Sequence, residues 1–153
     1  NLQLLNLYDN RLQTLPAQIG ELKNLQSLIL LGNRLQTLPI QIVELKNLQS
    51  LNLRGNELQT FPVQISELKN LQSLDLRWNE LTSLPAQIGE LKNLQSLVLY
   101  GNRLQSLPIE VFSKMPNLKT ILLAGGDGPT NPLPETDVIA LRAAMPWCKI
   151  VWK

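Results

Sequence analysis

The chain has 153 residues, of which 44% are hydrophobic and 17% are charged, and its formal net charge is +2. This is the length of a single domain with ample apolar material for a core, and the small charge argues against nucleic acid or an acidic membrane as a partner. Because no stretch of about 18 apolar residues is present, the sequence predicts no transmembrane span.

A 23-residue unit repeats from the first residue onward. The word Asn-Leu-Gln-Ser-Leu recurs at Asn24, Asn47, Asn70 and Asn93, and a 24-residue step then leads to Asn117. Repeats of this length are typical of a solenoid, in which each unit buries its apolar face only against its neighbours. Since Asn1 already holds the repeat position of Asn24, we expect a signal peptide, a cap or further repeats before residue 1.

The first half of each unit predicts a strand. Written from its first leucine, the unit is L-x-x-L-x-L-x-x-N-x-L-x-x-L-P-x-x-I-x-x-L-x-x. Five copies run from Leu2 to Asn117, and a sixth begins at Leu118 and ends after Leu123. Leu28 and Leu30 alternate with a period of two, as in a half-buried strand. Successive strands must be parallel, so we expect a ribbon with strands about 4.8 Å apart.

The second half of each unit predicts a short helix on the opposite side. Leu-Pro-x-x-Ile-x-x-Leu cannot continue the strand, because proline lacks the N–H that a sheet requires. Its apolar residues at spacings of three and four suit a short helical or 3-10 segment.

One asparagine of each unit lies at the bend after the strand, namely Asn10, Asn33, Asn56, Asn79 and Asn102. A buried amide at this bend can bond backbone groups of adjacent coils, so we interpret this asparagine ladder as structural. Gly126 replaces the asparagine in the sixth unit. We therefore expect the ladder to end there.

The repeat resembles a known family. Leu-x-x-Leu-x-Leu-x-x-Asn-x-Leu is similar to the leucine-rich repeat motif, and the similarity extends from Leu2 to about Ala124. The 23-residue period and the Leu-Pro-x-x-Ile continuation resemble bacterial, spirochaete-type secreted or surface members, and also intracellular Ras-suppressor-like scaffolds. The resemblance implies an α/β fold: a right-handed solenoid with a parallel β-sheet on its concave face and short helical or 3-10 segments on its convex face.

The repeats are expected to give way to a C-terminal cap. We assign residues 1–124 to the five full repeats plus a sixth strand, and residues 125–153 to a cap made of a helix and a strand. The segment 125–132 has the glycines and prolines of a loop. Its single carboxylate, Asp127, has no acidic neighbours with which to hold calcium.

Within this cap, Thr136 is the predicted N-cap of a helix that runs to Met145. The residues after Met145 repeat the pattern that precedes the sixth strand, so we expect a closing edge strand. Cys148 then occupies a leucine position, and Lys149 and Lys153 would protect the edge.

The sequence carries no constellation typical of catalysis. It contains no histidine, which is the commonest general base and metal ligand. It also lacks a Gly-rich phosphate loop, His/Cys metal spacing and a nucleophile elbow. Cys148 in a leucine position is better explained as a small buried hydrophobe than as a nucleophile, and as the single cysteine it excludes an internal disulfide. We predict that the protein is not an enzyme and binds neither a cofactor nor a metal.

The positions that vary most between units mark the candidate binding site on the open side of the strands: Ile29, Leu31, Arg54, Asp75, Arg77, Trp78 and Tyr100. Tyr, Trp and Arg are the residue types enriched at binding hot spots. Trp78 holds a position that is glycine in most units, so it should protrude from the sheet. Arg54 and Arg77, about 5 Å apart, favour a carboxylate-bearing partner. The alternative is that these positions vary without function and that Trp78 packs over a neighbouring strand.

We therefore expect a non-catalytic module that binds a protein on its concave sheet and no nucleic acid. The expected setting is a bacterial secreted or cell-surface protein, with an intracellular, cytoplasmic scaffold as the alternative. A third hypothesis is a self-assembling element in which the end formed by Leu2–Leu7 stacks on another chain. We expect a monomer.

Overall fold

The computed structural model describes residues 1–125 and 130–152, and within them seven short strands form one parallel sheet in chain order. The strands are β1 (Leu4–Asn6), β2 (Ser27–Ile29), β3 (Ser50–Asn52), β4 (Ser73–Asp75), β5 (Ser96–Val98), β6 (Thr120–Leu122) and β7 (Lys149–Val151). Equivalent repeat positions face each other across the sheet, so that Leu51 lies opposite both Leu28 and Leu74. The parallel ribbon predicted from the repeat period is confirmed.

The return segments carry short helices on the other side of the coil, as predicted. Four are 3-10 helices, at Ala17–Glu21, Ile40–Glu44, Val63–Glu67 and Ala86–Glu90, and each follows a proline with extended backbone. In the 24-residue fifth unit the segment is instead a one-turn α-helix, α1 (Ile109–Phe112). Ser96 still pairs with Thr120 across β5 and β6. The additional residue is therefore accommodated on the helical side.

A continuous apolar core lies between the sheet and the helical segments. The two inward leucines of each strand region are buried from the second coil onward: Leu28, Leu30, Leu51, Leu53, Leu74, Leu76, Leu97 and Leu99. A fully buried leucine contributes about 1.5–3 kcal/mol, and the same positions are filled in each successive coil. In the first coil the equivalent residues, Leu5 and Leu7, are half-buried.

The asparagine ladder binds each coil to the coil before it. The Oδ1 of Asn56 accepts the N–H of Leu35, and its Nδ2 donates to the carbonyls of Leu30 and Leu53. Asn33, Asn79 and Asn102 form the same bonds in their own coils, and all four asparagines are buried. The structural interpretation of these residues is confirmed.

Two details of the predicted ladder are wrong. Asn10 is exposed, and its Nδ2 donates to the carbonyl of Tyr8 in its own coil. The ladder also does not end with the fifth unit, because Asn131 provides a further step. Its Oδ1 accepts the N–H of Leu104, and its Nδ2 donates to the carbonyls of Leu99 and Leu123. Gly126, on which that expectation rested, lies outside the described residues.

The cap consists of the helix α2 (Glu135–Ala144) and β7, which pairs with β6 as predicted. The N-cap is Pro134, and the prediction of Thr136 is wrong. The backbone of Pro134 is extended and its carbonyl accepts the N–H of Asp137, so the helix has already begun when Thr136 is reached. Val138 and Leu141, which are three residues apart in this helix, are buried in the core.

Cys148 is buried in the leucine position predicted for it, and its N–H donates to the carbonyl of Met145 just as Leu118 donates to Met115. The predicted loop residues 126–129 and the predicted edge residue Lys153 lie outside the described residues. The division into repeats at 1–124 and a cap at 125–153 stays a prediction.

Candidate protein-binding surface

The seven predicted site residues lie on the face of the sheet directed away from the helical segments, here called the open face. The strands show the expected alternation, with a buried central residue between two half-buried ones. Six of the seven site residues are half-buried, and Trp78 is 36% exposed. The alternation along each strand therefore brings six of these side chains to this face, whereas Trp78 is out of phase with it and lies at the left-handed bend after β4.

Four of these residues form one connected cluster: Asp75, Arg77, Trp78 and Tyr100. The Nε of Arg77 lies 3.0 Å from the Oδ2 of Asp75, and its Nη1 donates a hydrogen bond of 2.5 Å to the hydroxyl of Tyr100. The guanidinium carbon is 5.4 Å from the centre of the Tyr100 ring, within the range of a cation–π interaction. Arg77 is thereby held between two strands.

Asp75 is held by its own backbone as well as by Arg77. Its Oδ1 accepts the N–H of Arg77 at 3.1 Å, and Asn6 and Asn52 accept the N–H two residues ahead in the same way. Burial raises the pKa of the Asp75 carboxyl above its ordinary value of 3.8, against the opposing effects of the Arg77 N–H and of the charges on Arg77 and Arg54. The charged form of this half-buried carboxyl group is thus disfavoured by burial and favoured by the two arginines.

Trp78 has a left-handed backbone conformation, and the same repeat position in the two adjacent coils is occupied by glycine. Its φ is 58°, whereas Gly55 and Gly101, at the same position in the adjacent coils, have φ values of 61° and 69°. Left-handed backbone costs a residue with a side chain about 1–2 kcal/mol, and such strain is found preferentially at functional sites.

The Trp78 ring packs on the next coil. It meets Tyr100 edge to face, with ring centres 6.3 Å apart, and covers Gly101 so closely that a Cβ there would lie 3.1 Å from Cδ2 of Trp78. This is the packing over a neighbouring strand that the alternative interpretation expected. A third of the side chain nevertheless stays exposed, so Trp78 offers a rigid aromatic edge to solvent.

Ile29, Leu31 and Arg54 extend the open face toward the first coil, and they make no direct side-chain bond to the cluster within the described residues. Tyr8, which the predicted site omits, is 58% exposed and lies in the same repeat position as Tyr100. Its ring covers Gly32 as the Tyr100 ring covers Gly125. The repeat position that Tyr8 shares with Tyr100 could have identified it as a site residue from the sequence.

Outside this surface, we considered the described residues for metal binding, nucleophilic chemistry and membrane insertion. They contain no group of three or more His, Cys, Asp or Glu that could hold a metal ion. Burial raises the pKa of the Cys148 thiol, which disfavours the nucleophilic thiolate. In 1–125 and 130–152 no helix has the length and apolar character needed to cross a membrane. What the open face presents is guanidinium donors and aromatic and aliphatic surface.

Comparison with solved structures gives the same fold. A leucine-rich repeat protein of Leptospira interrogans is 28% identical with a TM-score of 0.62, over 98% of this chain and 54% of that one. An internalin of Listeria monocytogenes is 21% identical with a TM-score of 0.70, over 90% and 37%. A plant peptide hormone receptor in complex with RGF2 is 37% identical with a TM-score of 0.68, over 78% and 20%. The chain thus spans about half the length of the Leptospira protein and less of the other two.

Among proteins of curated function, none matches the chain. The family models are decisive by contrast: one described as leucine rich repeat matches residues 23–81 and 69–126, and a second matches residues 1–22. Together with the α/β solenoid, its seven-stranded parallel sheet and its asparagine ladder, these matches show that the chain belongs to the leucine-rich repeat family.

Proposed function

We propose that this chain is a non-catalytic module that binds a protein partner through the open face of its sheet. The observation that carries the proposal is the cluster of Arg77, Tyr100 and Trp78. Each of these side chains is fixed by a contact to another coil or strand, and yet the cluster reaches solvent. Side chains that are ordered before binding lose little conformational entropy on association.

The relatives support this function at the level of the fold. Leucine-rich repeat proteins serve as interaction modules, and the plant receptor is seen in complex with RGF2. The likeness to a Leptospira protein supports a bacterial secreted or surface setting of the spirochaete type, which we include in the proposal. We also propose that the protein is a monomer, which light scattering over a range of concentrations tests. Growth of the apparent mass with concentration would instead favour self-assembly.

A cross-linking and pull-down comparison tests the binding face. The surface variant combines Trp78→Gly with Tyr100→Ala, because glycine suits the backbone at position 78. The matched control is Ile40→Ala with Val63→Ala, which removes two exposed aliphatic side chains from the helical side. Alanine already occupies that repeat position at Ala17 and Ala86.

We expect proteins captured by the wild type to be lost with the surface variant and kept with the control. The proposed face is wrong if the surface variant, shown to be folded by circular dichroism, captures the same proteins with the same yield. A protein that binds the surface variant and not the control would place the site on the helical side.

A further inference from the structure

We infer that the open face recognises an extended acidic segment of its partner, in which an Asp or Glu carboxylate pairs with Arg54 and apolar side chains lie on either side. This inference rests on the proposed function and specifies the chemistry of the partner. It follows from a difference between two adjacent coils that are otherwise built alike.

Arg54 and Arg77 occupy the same repeat position, and within residues 1–125 and 130–152 only the Arg77 side chain is paired with a carboxylate. In the coil of Arg77, Asp75 bonds the backbone N–H of Arg77 through Oδ1 and pairs with its side chain through Oδ2. In the coil of Arg54, Asn52 forms the same bond to the backbone N–H and has an amide in place of the second carboxylate oxygen. The Asp75–Arg77 pair thus shows how an arginine of this sheet binds a carboxylate, and Arg54 lacks that partner.

Within the described part of the chain, the Arg54 guanidinium makes no hydrogen bond or contact ion pair. Burial raises the pKa of Asp75 and the charge on Arg54 acts against that rise, but the Asp75 carboxylate is already paired with Arg77. The nearby turn carboxylates are also engaged: Glu57 accepts a hydrogen bond from Gln36, and Glu80 lies 3.4 Å from Arg103. The site residues therefore carry two positive charges and one negative, and the excess positive charge is centred on Arg54.

Apolar and aromatic side chains lie on either side of the two arginines. In the repeat position of Arg54 the sheet presents Leu31 and then Tyr8 toward the first coil, and Arg77 and then Tyr100 in the other direction. Tyr8 and Tyr100 are each two strands from Arg54, or about 10 Å. An extended chain covers this distance in about three residues. A segment crossing the strands with its carboxylate on Arg54 would place side chains about three residues away on the two aromatic rings.

Selection from a phage-displayed library of random peptides tests the inference, with the full chain as bait. We expect enrichment of peptides with one Asp or Glu between apolar residues. By fluorescence anisotropy, the synthetic peptide should bind Arg54→Gln about 10- to 100-fold more weakly, the range for a charged hydrogen-bonded pair. Arg54→Glu should prefer the peptide whose acidic residue is replaced by lysine. The matched control is Arg34→Gln, which removes one exposed arginine outside the open face and should change the affinity by less than about twofold.

Two failures are distinguishable. In the first, the selected peptides lose binding to the variant with Trp78→Gly and Tyr100→Ala, but they contain no enriched carboxylate or they bind Arg54→Gln as well as the wild type. The acidic partner is then wrong and the binding face stands. If the peptides bind that surface variant as tightly as the wild type, the binding face itself is wrong.

Discussion

The placement of the Trp78 ring over the next coil predicts that two glycines in equivalent positions respond differently to the same substitution. Gly55 and Gly101 both have positive φ, so alanine at either position incurs the strain of left-handed backbone, about 1–2 kcal/mol. Among the described residues other than its two chain neighbours, the nearest atom to a Cβ added at Gly55 is the backbone nitrogen of Gly32, at 3.7 Å. Gly55→Ala should therefore report the strain alone.

At Gly101 the added Cβ would lie 3.1 and 3.2 Å from two carbons of the Trp78 ring and 3.2 Å from the Trp78 backbone nitrogen. That nitrogen is held by a hydrogen bond to the carbonyl of Tyr100, so the ring must move. Overpacking of this kind costs about 1–3 kcal/mol. We expect Gly101→Ala to lower the free energy of unfolding by about 2–5 kcal/mol, against about 1–2 for Gly55→Ala.

Urea denaturation followed by circular dichroism measures both variants, and the shift of the midpoint at constant slope gives the change in stability. The double variant with Trp78→Gly supplies the control, because removing the ring should return the cost of Gly101→Ala toward that of Gly55→Ala. Part of the loss should remain, because the 3.2 Å contact with the backbone nitrogen of residue 78 is unchanged when the ring is removed. Equal losses for the two glycine variants, or a loss at Gly101 that is no smaller without the ring, would refute the packing of Trp78 and with it the ordered aromatic edge of the binding surface.

Three further predictions concern buried polar groups. Asn79→Ala removes the side-chain bonds of four backbone groups in two coils and should destabilise the fold by about 3 kcal/mol. Asn10→Ala, at an exposed site, should cost less than about 1 kcal/mol, and comparable losses for the two variants in urea denaturation would contradict the ladder. Because burial raises the pKa of Asp75 above 3.8, the folded state binds its proton more tightly than the unfolded state, and the contribution of Asp75 to stability falls as the pH rises through the raised pKa. Asp75→Asn should therefore gain stability relative to the wild type as the pH rises from below 3.8 through that pKa, and a relative loss would contradict the sign. Finally, the Cys148 thiol should react slowly with an aromatic disulfide reagent in the native protein and quickly in denaturant, and equal rates would contradict its burial.

The fold was predictable from sequence because leucine positions at a fixed period permit few arrangements. A coil that buries Leu28 and Leu30 can repeat every 23 residues only as parallel strands, and the structure has those strands. The strand alternation likewise predicted six of the seven side chains that reach the open face, all except Trp78. Both results depend on local periodicity, which a single sequence displays directly.

What the sequence could not predict depends on contacts between coils or on the cap. Asn131 joins the asparagine ladder from 29 residues beyond Asn102, outside the repeat register, so no spacing marks it. The packing of Trp78 on Gly101 follows from a left-handed backbone that most residues avoid, and the sequence left open whether this side chain protrudes or packs over a neighbouring strand. The bond from Arg77 to Tyr100 requires the relative placement of two side chains on neighbouring strands.

The one-turn helix α1 shows where this architecture tolerates a change in length. An extra residue there left the pairing of Ser96 with Thr120 intact, whereas an extra residue in a strand would exchange its inward and outward side chains. Foreign sequence, such as an epitope or a fluorescent reporter, is therefore best spliced at the turn of Ser113 and Lys114. Insertions and deletions can accumulate on the helical side over evolutionary time, while the open face remains free to diversify by substitution.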